Sequence, residues 1–233
     1  MSRVLFIQNG EGEHAGLFAR VLGDLGVTLE VIHAWQGEPV PTAPNGWAGI
    51  IIGGGSMSAY EQQEYPFLTA EEVLIEAARA KERPVFGICL GAQLMASTLG
   101  GKVFANAEKE IGLYEVRFTP EAERDPLWQG QTAPLRPVHW HKDTFTLPPG
   151  ATRLASSERT ENQLFRIDEK LYGVQFHLEI DGPTLVEMVE TDHGSLERNG
   201  VDPQAFLREA AAVLPDTEPV ARAIFTRWTE MLS

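Results

Sequence analysis

Two hydrophobic spacings alternate along the first part of the chain. Short apolar runs of strand length are separated by segments in which apolar residues recur at helical spacing. The strand-like runs are residues 4–8, 28–32, 48–52 and 84–88, and the helical segments are 14–25 and the stretch that begins at Pro66. This alternation predicts an α/β fold with a mostly parallel central sheet and helices on both faces.

The helix that begins at Pro66 is expected to cover one face of the sheet. Proline suits the first turn of a helix because the N–H that it lacks would have no partner there. Four apolar residues are assigned to the side of this helix that meets the sheet, namely Phe67, Val73, Leu74 and Ala77.

Residues beyond position 180 show a different pattern of hydrophobic, charged and proline residues. Helical segments rich in charge are interrupted there by Pro183, Pro203, Pro215 and Pro219. We expect these prolines to break the helices, and the stretch 220–232 to form one more helix. Residues 181–233 are then a helical C-terminal extension packed on a single domain that spans residues 1–233. The segment 192–203 suits a lid, an oligomer contact or an ordinary loop.

Composition narrows the range of functions. The chain has 33 acidic against 19 basic residues, a net charge of −14, which disfavours binding to phosphate backbones and to anionic lipid surfaces. We therefore expect neither a nucleic acid nor a membrane partner. No apolar stretch approaches the roughly 20 residues of a spanning helix, and the apolar start of the chain is too short for a secretory signal. A cytoplasmic location is expected.

The single cysteine of the chain stands where a predicted strand meets a predicted helix. It has no partner for an internal disulfide, and a buried free thiol is the simplest interpretation. Residues 87–91, Gly-Ile-Cys-Leu-Gly, have instead the form of a nucleophile elbow after a central strand, in which glycines relieve crowding around the central residue. Cys89 then lies at a helix N-terminus, where the helix dipole favours the thiolate. This makes Cys89 the candidate nucleophile.

A base and an orienting carboxylate are found in a second strand-like run, residues 171–179. His177 and Glu179 are separated by one residue, and side chains at that spacing in an extended chain share a face. The imidazole can then accept the thiol proton of Cys89, while the carboxylate orients the ring and stabilises its charged form. A surface histidine and glutamate with no shared task are the alternative.

Attack of a thiolate on an amide carbonyl creates an oxyanion, which needs hydrogen-bond donors. A glycine-rich loop, residues 53–56, follows the predicted strand at 48–52 and can present backbone N–H groups. We assign the oxyanion hole to the N–H of Gly54 and the N–H of Leu90, the residue directly after Cys89. A flexible turn is the simpler interpretation of three consecutive glycines.

Residues 139–143, His-Trp-His-Lys-Asp, offer a competing site. Alternate residues of a strand point the same way, so His139, His141 and Asp143 form a possible metal-binding group. We expect no metal there, because a nearby thiolate would itself capture the ion.

Several motifs, in the same order along the chain, resemble those of class I glutamine amidotransferases. The similarity is greatest to stand-alone members that are like the amidotransferase of GMP synthases. The motifs are residues 53–58 (Gly-Gly-Gly-Ser-Met-Ser), 87–93 (Gly-Ile-Cys-Leu-Gly-Ala-Gln), 109–112 (Lys-Glu-Ile-Gly), 140–145 (Trp-His-Lys-Asp-Thr-Phe) and 177–179 (His-Leu-Glu). The resemblance covers about residues 1–180 and implies a flavodoxin-like fold.

The resemblance also implies a reaction. Cys89 would attack glutamine or another γ-glutamyl small molecule, form a γ-glutamyl thioester and release ammonia, and water activated by His177 would then free glutamate. No cofactor is implied. The substrate-binding set that the resemblance implies is Gly55, Gln93, Trp140 and His141, the last two on a loop at the amino-acid end of the substrate.

Two departures and one absence distinguish the chain from the family pattern. Family members usually have proline at the position of Gly55 and often at that of Leu178, so we expect a looser oxyanion loop and a different turn between His177 and Glu179. The chain has no Gly-x-x-x-x-Gly-Lys loop and no room for a synthetase domain. Ammonia would pass to a separate synthetase subunit. The alternatives are a hydrolase of γ-glutamyl compounds with no ammonia acceptor, and a binding or regulatory module on the same fold.

Overall fold

The computed structural model describes residues 2–232, with the backbone alone at His193, so that Met1 and Ser233, the ends of the expected domain, lie outside the described residues. The strands are β1 (Arg3–Gln8), β2 (Thr28–His33), β3 (Gly49–Ile52), β4 (Val85–Ile88), β5 (Val103–Leu113), β6 (Arg117–Phe118), β7 (Val138–Phe145), β8 (Thr152–Ser156), β9 (Leu164–Ile167) and β10 (Leu171–Val174). The helices are α1 (Gly16–Asp24), α2 (Phe67–Ala80), α3 (Leu90–Thr98), α4 (Gly182–Thr191), α5 (His193–Arg198) and α6 (Pro203–Thr229).

An eight-stranded sheet forms the centre of the molecule, in the strand order β2-β1-β3-β4-β10-β9-β8-β6. Strands β1 to β4 and β10 are parallel, which confirms the predicted α/β class with a mostly parallel central sheet. Strands β9, β8 and β6 continue the sheet in antiparallel pairing, a wing that the hydrophobic pattern did not predict. Only short connections join β8, β9 and β10, and connections of that length allow antiparallel pairing alone.

Helices cover both faces of the sheet because alternate residues of a strand point to opposite sides. In β1, Val4 and Phe6 enter a core shared with α1 and α6. Leu5 and Ile7 enter a second core, shared with α2 and α3. The carboxyl ends of β3 and β4 lie between these two layers, and the candidate nucleophile follows β4.

The face of α2 that meets the sheet differs from the prediction. Its buried residues are Leu68, Glu71, Leu74, Ile75 and Ala78. Of the residues assigned to this face, Leu74 is buried, Phe67 and Ala77 are half-buried, and Val73 is 43% exposed. The prediction for Val73 was wrong because the buried stripe recurs at three- and four-residue steps from Leu68, and a residue five positions on from Leu68 lies outside it.

The C-terminal prolines also differ from the prediction. Pro183 and Pro203 lie in the first turns of α4 and α6, whereas Pro215 and Pro219 lie inside α6 and do not break it. Both internal prolines are exposed and are four residues apart, so the backbone bonds that they remove lie on the solvent side of the helix.

Packing holds the two ends of α6 in place. Phe225 near its C-terminal end stacks on Phe18 of α1, with ring centroids 4.0 Å apart. Phe206 near its N-terminal end lies in a third core with Leu185 and Met188 of α4. Within residues 2–232 no helix, α6 included, is both long and apolar enough to cross a membrane.

Strands β5 and β7 form a separate antiparallel ribbon. Trp140 and His141, which the family resemblance places on a loop, therefore lie on a strand. The strand alternation of β7 buries His139 and His141, whereas Trp140 between them is half-buried. His141 pairs with Glu110 of β5 in the register of the ribbon.

Candidate active site

Cys89 lies at the turn between β4 and α3. Its backbone has φ of 50° and ψ of −104°, a conformation that side-chain-bearing residues rarely adopt. Strain of this kind costs about 1–3 kcal/mol and is retained where the surrounding structure enforces it. Here the Cys89 N–H donates to Val174 O at 2.8 Å, and Cys89 O accepts from Gln93 N–H at 3.1 Å.

Gly87 and Gly91 make this turn possible because other backbone atoms approach them closely. A Cβ at Gly91 would collide with the carbonyl oxygen of Ile52 at the end of β3. A Cβ at Gly87 would lie 2.6 Å from the carbonyl oxygen of Gly91. The geometry is that of the elbow predicted from residues 87–91.

His177 and Glu179 follow β10, the strand beside β4. His177 Nδ1 and Glu179 Oε1 are 2.6 Å apart, and the two residues are 3% and 4% exposed. The His177 N–H donates to Val138 O of β7 at 2.8 Å, which fixes the backbone at the ring. The predicted pair therefore forms a buried hydrogen bond.

Gly16 allows the start of α1 to contact the backbone of Glu179. The N–H of Leu17, in the first turn of α1, donates to Glu179 O at 2.7 Å. Gly16 has φ of +43°, and a Cβ there would collide with the same carbonyl oxygen. Gly16 was not predicted as a site residue, because its only signal in the sequence is a glycine at the start of a predicted helix.

Two neighbouring groups, the Glu179 carboxylate and the Cys89 sulfur, determine the pKa of the buried His177 ring. Burial alone would lower its pKa, but the Glu179 carboxylate and the sulfur of Cys89 outweigh burial and raise the pKa of His177 well above its ordinary value. Among the described residues, His177 Nε2 has no hydrogen-bond partner of ordinary geometry. This nitrogen is the one left to exchange a proton with Cys89, which is 5% exposed.

Gln175 is a further residue at the sulfur. Its Nε2 donates to Cys89 Sγ at 3.6 Å, and the thiol faces Trp140 O at 3.9 Å. Gln93 Nε2 in turn donates to Gln175 Oε1 at 3.2 Å and lies 3.4 Å from Asp143 O. Gln93, assigned to the substrate by resemblance, thus belongs to a buried amide chain that ends at the sulfur. Gln175 was not predicted as a site residue, although it shares the alternate spacing of His177 and Glu179.

The glycine loop at the end of β3 lies against the same site. A Cβ at Gly54 would lie 3.2 Å from His177 Cε1. A Cβ at Gly55 would lie 2.7 Å from Leu90 Cδ2 and 2.6 Å from Met57 Sδ. The structure therefore places Gly54 beside the His177 ring and Gly55 beside the Leu90 side chain, while the oxyanion hole formed by the N–H groups of Gly54 and Leu90 stays a prediction. Gly55 is closely packed, which is not what we expected for a looser loop.

Two cavities adjoin Trp140. One, of about 190 Å³, is lined by Glu13, Ser56, Trp140 and Asp192 among others. The other, of about 220 Å³, also contains Ser56, Trp140 and Asp192 in its lining, and adds His141 and several basic residues. A larger cavity, of about 860 Å³, lies at the opposite end of β10, near Leu171. The two smaller cavities are the ones close to the nucleophile, because Trp140, which lines both, has its carbonyl oxygen 3.9 Å from Cys89 Sγ.

The buried polar cluster on the β5–β7 ribbon has a different composition from the metal group considered above. Glu110, His139 and His141 bring possible ligand atoms within 4.8 Å of one another. Asp143 does not belong to this group; its main-chain oxygen instead faces His141 Nδ1 at 2.9 Å.

Protein donors satisfy Glu110. Four hydrogen bonds reach its carboxylate, from Ser157 Oγ at 2.6 Å, Thr160 Oγ1 at 2.7 Å, Gln163 Nε2 at 2.5 Å and His141 Nε2 at 3.0 Å. Burial would raise the pKa of Glu110, but these bonds and the nearby His139 lower it to about 2. His141 lines the cavity of about 220 Å³, and both nitrogens of its ring contact protein oxygens, Nδ1 the main-chain oxygen of Asp143 and Nε2 a carboxylate oxygen of Glu110.

The fold, the elbow at Cys89 and the His177–Glu179 pair define a class of protein, and comparison of the chain with known proteins gives the same class. The family model described as glutamine amidotransferase class-I matches residues 12–190. The chain belongs to the class I glutamine amidotransferase family.

Individual relatives resemble the chain over nearly its whole length. It is 34% identical over 214 residues to a glutamine amidotransferase-like protein, YfeJ, of Salmonella typhimurium, a match that covers 90% of this chain and 88% of YfeJ. The crystal structure of a glutamine amidotransferase from Thermotoga maritima has a TM-score of 0.91 and 33% identity, with 98% of each chain covered.

The similarity to GMP synthases covers only a part of those proteins. The glutamine-hydrolysing GMP synthase of Bacillus subtilis is 37% identical over 138 residues, which is 57% of this chain and 24% of the synthase.

Proposed function

We propose that the protein hydrolyses a γ-glutamyl amide through a thioester at Cys89, with glutamine or another γ-glutamyl small molecule as substrate. The observation that carries this proposal is the position of the strained Cys89 beside the buried His177–Glu179 pair, where the sulfur helps to raise the pKa of His177. A buried structural thiol would need neither the positive φ nor a histidine–carboxylate pair at the sulfur.

The first half of the reaction forms the thioester. The Cys89 proton passes to His177 Nε2, and the sulfur attacks the amide carbon of the substrate. The carbonyl oxygen gains negative charge and accepts hydrogen bonds from the N–H groups of Gly54 and Leu90. The tetrahedral intermediate then collapses, the C–N bond breaks, and His177 returns the proton to the leaving nitrogen, so that ammonia departs.

The second half releases glutamate. Water enters the position of the leaving nitrogen, gives a proton to His177 and attacks the thioester carbonyl. The C–S bond breaks and the sulfur regains its proton. Throughout, the Glu179 carboxylate holds His177 in one tautomer and stabilises its charged form, in agreement with the raised pKa of His177.

The fate of the ammonia separates two versions of the proposal. In the first, a separate synthetase subunit accepts it, by analogy with the relatives named as glutamine-hydrolysing GMP synthases. In the second, the protein hydrolyses γ-glutamyl peptides or conjugates with no acceptor.

A catalytically weak binding or regulatory module on the same fold is the remaining candidate, motivated by Gly55 in place of the usual proline. Under either enzymatic version, no organic cofactor or metal takes part in the steps above. A cytoplasmic location stays a prediction from the sequence.

The test is a glutaminase assay on the purified protein. Incubation with glutamine, and separately with γ-glutamyl dipeptides, is expected to release glutamate, and glutamine also to release ammonia. The Cys89→Ala variant is expected to lose this activity. If the wild-type protein turns over none of these substrates, the hydrolase proposal is wrong, and the result favours a binding or regulatory module.

A further inference from the structure

A carboxylate from the loop between β1 and α1 reaches the candidate active site. A Cβ placed on Gly54 would collide with Glu13 Oε2, and it would also lie 3.2 Å from His177 Cε1. The Glu13 carboxyl and the His177 ring therefore flank the same glycine of the proposed oxyanion hole. The reaction steps derived above give Glu13 no task.

The Glu13 carboxyl has no direct partner in residues 2–232. No hydrogen bond or ion pair of ordinary length joins it to another side chain there, although many other acidic groups of the protein are paired. Burial raises its pKa, and the neighbouring charges of Glu179 and Asp192 act in the same direction, whereas His177 opposes them. A cation placed beside Glu13 would stabilise its charged form.

The two cavities beside Trp140 differ in charge. Glu13 and Asp192 line the cavity of about 190 Å³, whose lining contains no lysine or arginine. Lys109, Lys142 and Arg198 line the neighbouring cavity of about 220 Å³, which shares Asp192 with the first. The cleft is therefore acidic on the side of Glu13 and basic on the other side.

The separation of acidic and basic side chains across the cleft matches the charges at the non-reacting end of a γ-glutamyl group. That end carries an α-ammonium and an α-carboxylate on one carbon, a short chain away from the amide that Cys89 attacks. The ammonium suits the acidic side and the carboxylate the basic side, since each would gain a charge-assisted hydrogen bond.

We infer that Glu13 binds the α-ammonium group of the substrate and so selects γ-glutamyl compounds whose α-amino group is free. This inference rests on the proposed function, because it assigns the substrate of the same site. Glu13 is here a specificity-determining residue, distinct from the groups that transfer protons.

The test compares Glu13→Gln with the wild-type protein on two substrates. One is glutamine, and the other is 4-carbamoylbutanoate, which is glutamine without its α-amino group. Loss of a hydrogen bond to a charged group predicts that kcat/KM for glutamine falls by about 10- to 100-fold in the variant. Turnover of 4-carbamoylbutanoate is expected to stay within about 3-fold, since that substrate has nothing for Glu13 to bind. Glu190→Gln, which alters an exposed acid on α4, is the matched control and leaves both substrates unchanged.

A binding measurement gives the same comparison without turnover. In a Cys89→Ala background, calorimetry is expected to show weaker binding of glutamine, and unchanged binding of 4-carbamoylbutanoate, when Glu13→Gln is added. Equal losses on both ligands would assign Glu13 a merely structural or positioning role, and no loss on either would remove it from the site. Both results overturn the inference and leave the hydrolase intact. If the wild-type protein turns over neither compound and the Cys89→Ala protein binds neither, the proposed function fails and the inference fails with it.

Discussion

Two histidines that are equally buried have opposite electrostatic environments. His177 in the candidate active site and His139 on the β5–β7 ribbon are 3% and 0% exposed. The pKa of His177 is raised well above its ordinary value, whereas burial and the neighbouring His141 lower the pKa of His139 to about 3. Burial is the largest single influence on each ring, so burial alone does not distinguish them.

The difference lies in access to a carboxylate. Glu179 lies 2.6 Å from His177, and no other protein group donates to the same oxygen in the described residues. Glu110 lies 3.7 Å from His139, and four other donors already bind it. A carboxylate with a single partner supports a charged ring, and one shared among many donors stabilises the fold around a neutral ring.

The largest expected effect comes from removing the charge that supports His177. Glu179→Gln retains the shape of the side chain but not its charge. Since the corresponding change in a serine-protease triad lowers kcat by about 10⁴-fold, we expect glutamine turnover to fall by about 10³- to 10⁴-fold. The measurement is kcat for glutamate release, with circular dichroism to establish that the variant folds. A loss of less than about 5-fold would mean that Glu179 does not support the base.

The corresponding change on the ribbon is expected to affect stability. The Glu110 carboxylate accepts four hydrogen bonds, whereas the amide of the Glu110→Gln variant would turn an N–H₂ group, itself a donor, toward some of the same donors. Breaking a buried charged network in this way is expected to lower the free energy of unfolding by about 3–5 kcal/mol. Urea unfolding would measure the free energy of unfolding. The surface variant Glu190→Gln is expected to change it by less than about 0.5 kcal/mol. A Glu110→Gln protein of wild-type stability would contradict the role given to this cluster.

A smaller effect is expected from the amide at the sulfur. Gln175→Leu conserves volume and removes the N–H that points at Cys89 Sγ. Loss of one hydrogen bond to the sulfur, which becomes charged when it gives its proton to His177, predicts a fall in kcat of about 10-fold. Part of this fall is expected because Gln93 loses the amide oxygen of Gln175 to which it donates. Steady-state kinetics on glutamine test this, and unaltered kcat would count against a thiolate at this position.

The smallest effect at neutral pH is expected for His139→Phe. Neither ring nitrogen of His139 has a hydrogen bond of ordinary geometry in the described residues, so an apolar ring is expected to change the free energy of unfolding by less than about 1.5 kcal/mol at pH 7.

Lower pH is expected to favour His139→Phe over the wild type. The unfolded chain protonates His139 near pH 6.5, whereas the folded protein keeps it neutral down to about pH 3. Wild-type stability therefore falls as pH falls through that window, by at most about 1.4 kcal/mol per pH unit from this group. Urea unfolding of both proteins from pH 7 to pH 4.5 measures the difference, and parallel curves would contradict the lowered pKa.

The parts of the molecule that the sequence predicts best are those set by local structure. The elbow at Cys89 is readable because strand, glycine, cysteine, glycine and helix are consecutive. The pairing of His177 with Glu179 is readable because alternate residues of an extended segment share a face.

Contacts between distant segments were not predictable in this way. Glu13 and Gly16 reach the site only because the loop before α1 lies over the ends of β3 and β10, and no local pattern encodes that approach. The intact helix through Pro215 and Pro219 depends on which side of α6 faces solvent, which packing against α1 and α4 decides. Val73 was misplaced because apolar residues on α2 are more numerous than the buried stripe requires.

The most direct test of the central claim is the covalent bond to Cys89. Intact-mass spectrometry would follow the protein after exposure to a glutamine analogue that carries an electrophilic diazoketone in place of the amide. We predict a single adduct on the wild-type protein, mapped to Cys89 by peptide analysis and absent from Cys89→Ala, with slower labelling of Glu179→Gln. A wild-type protein that remains unmodified, or labelling that persists in Cys89→Ala, would contradict the account.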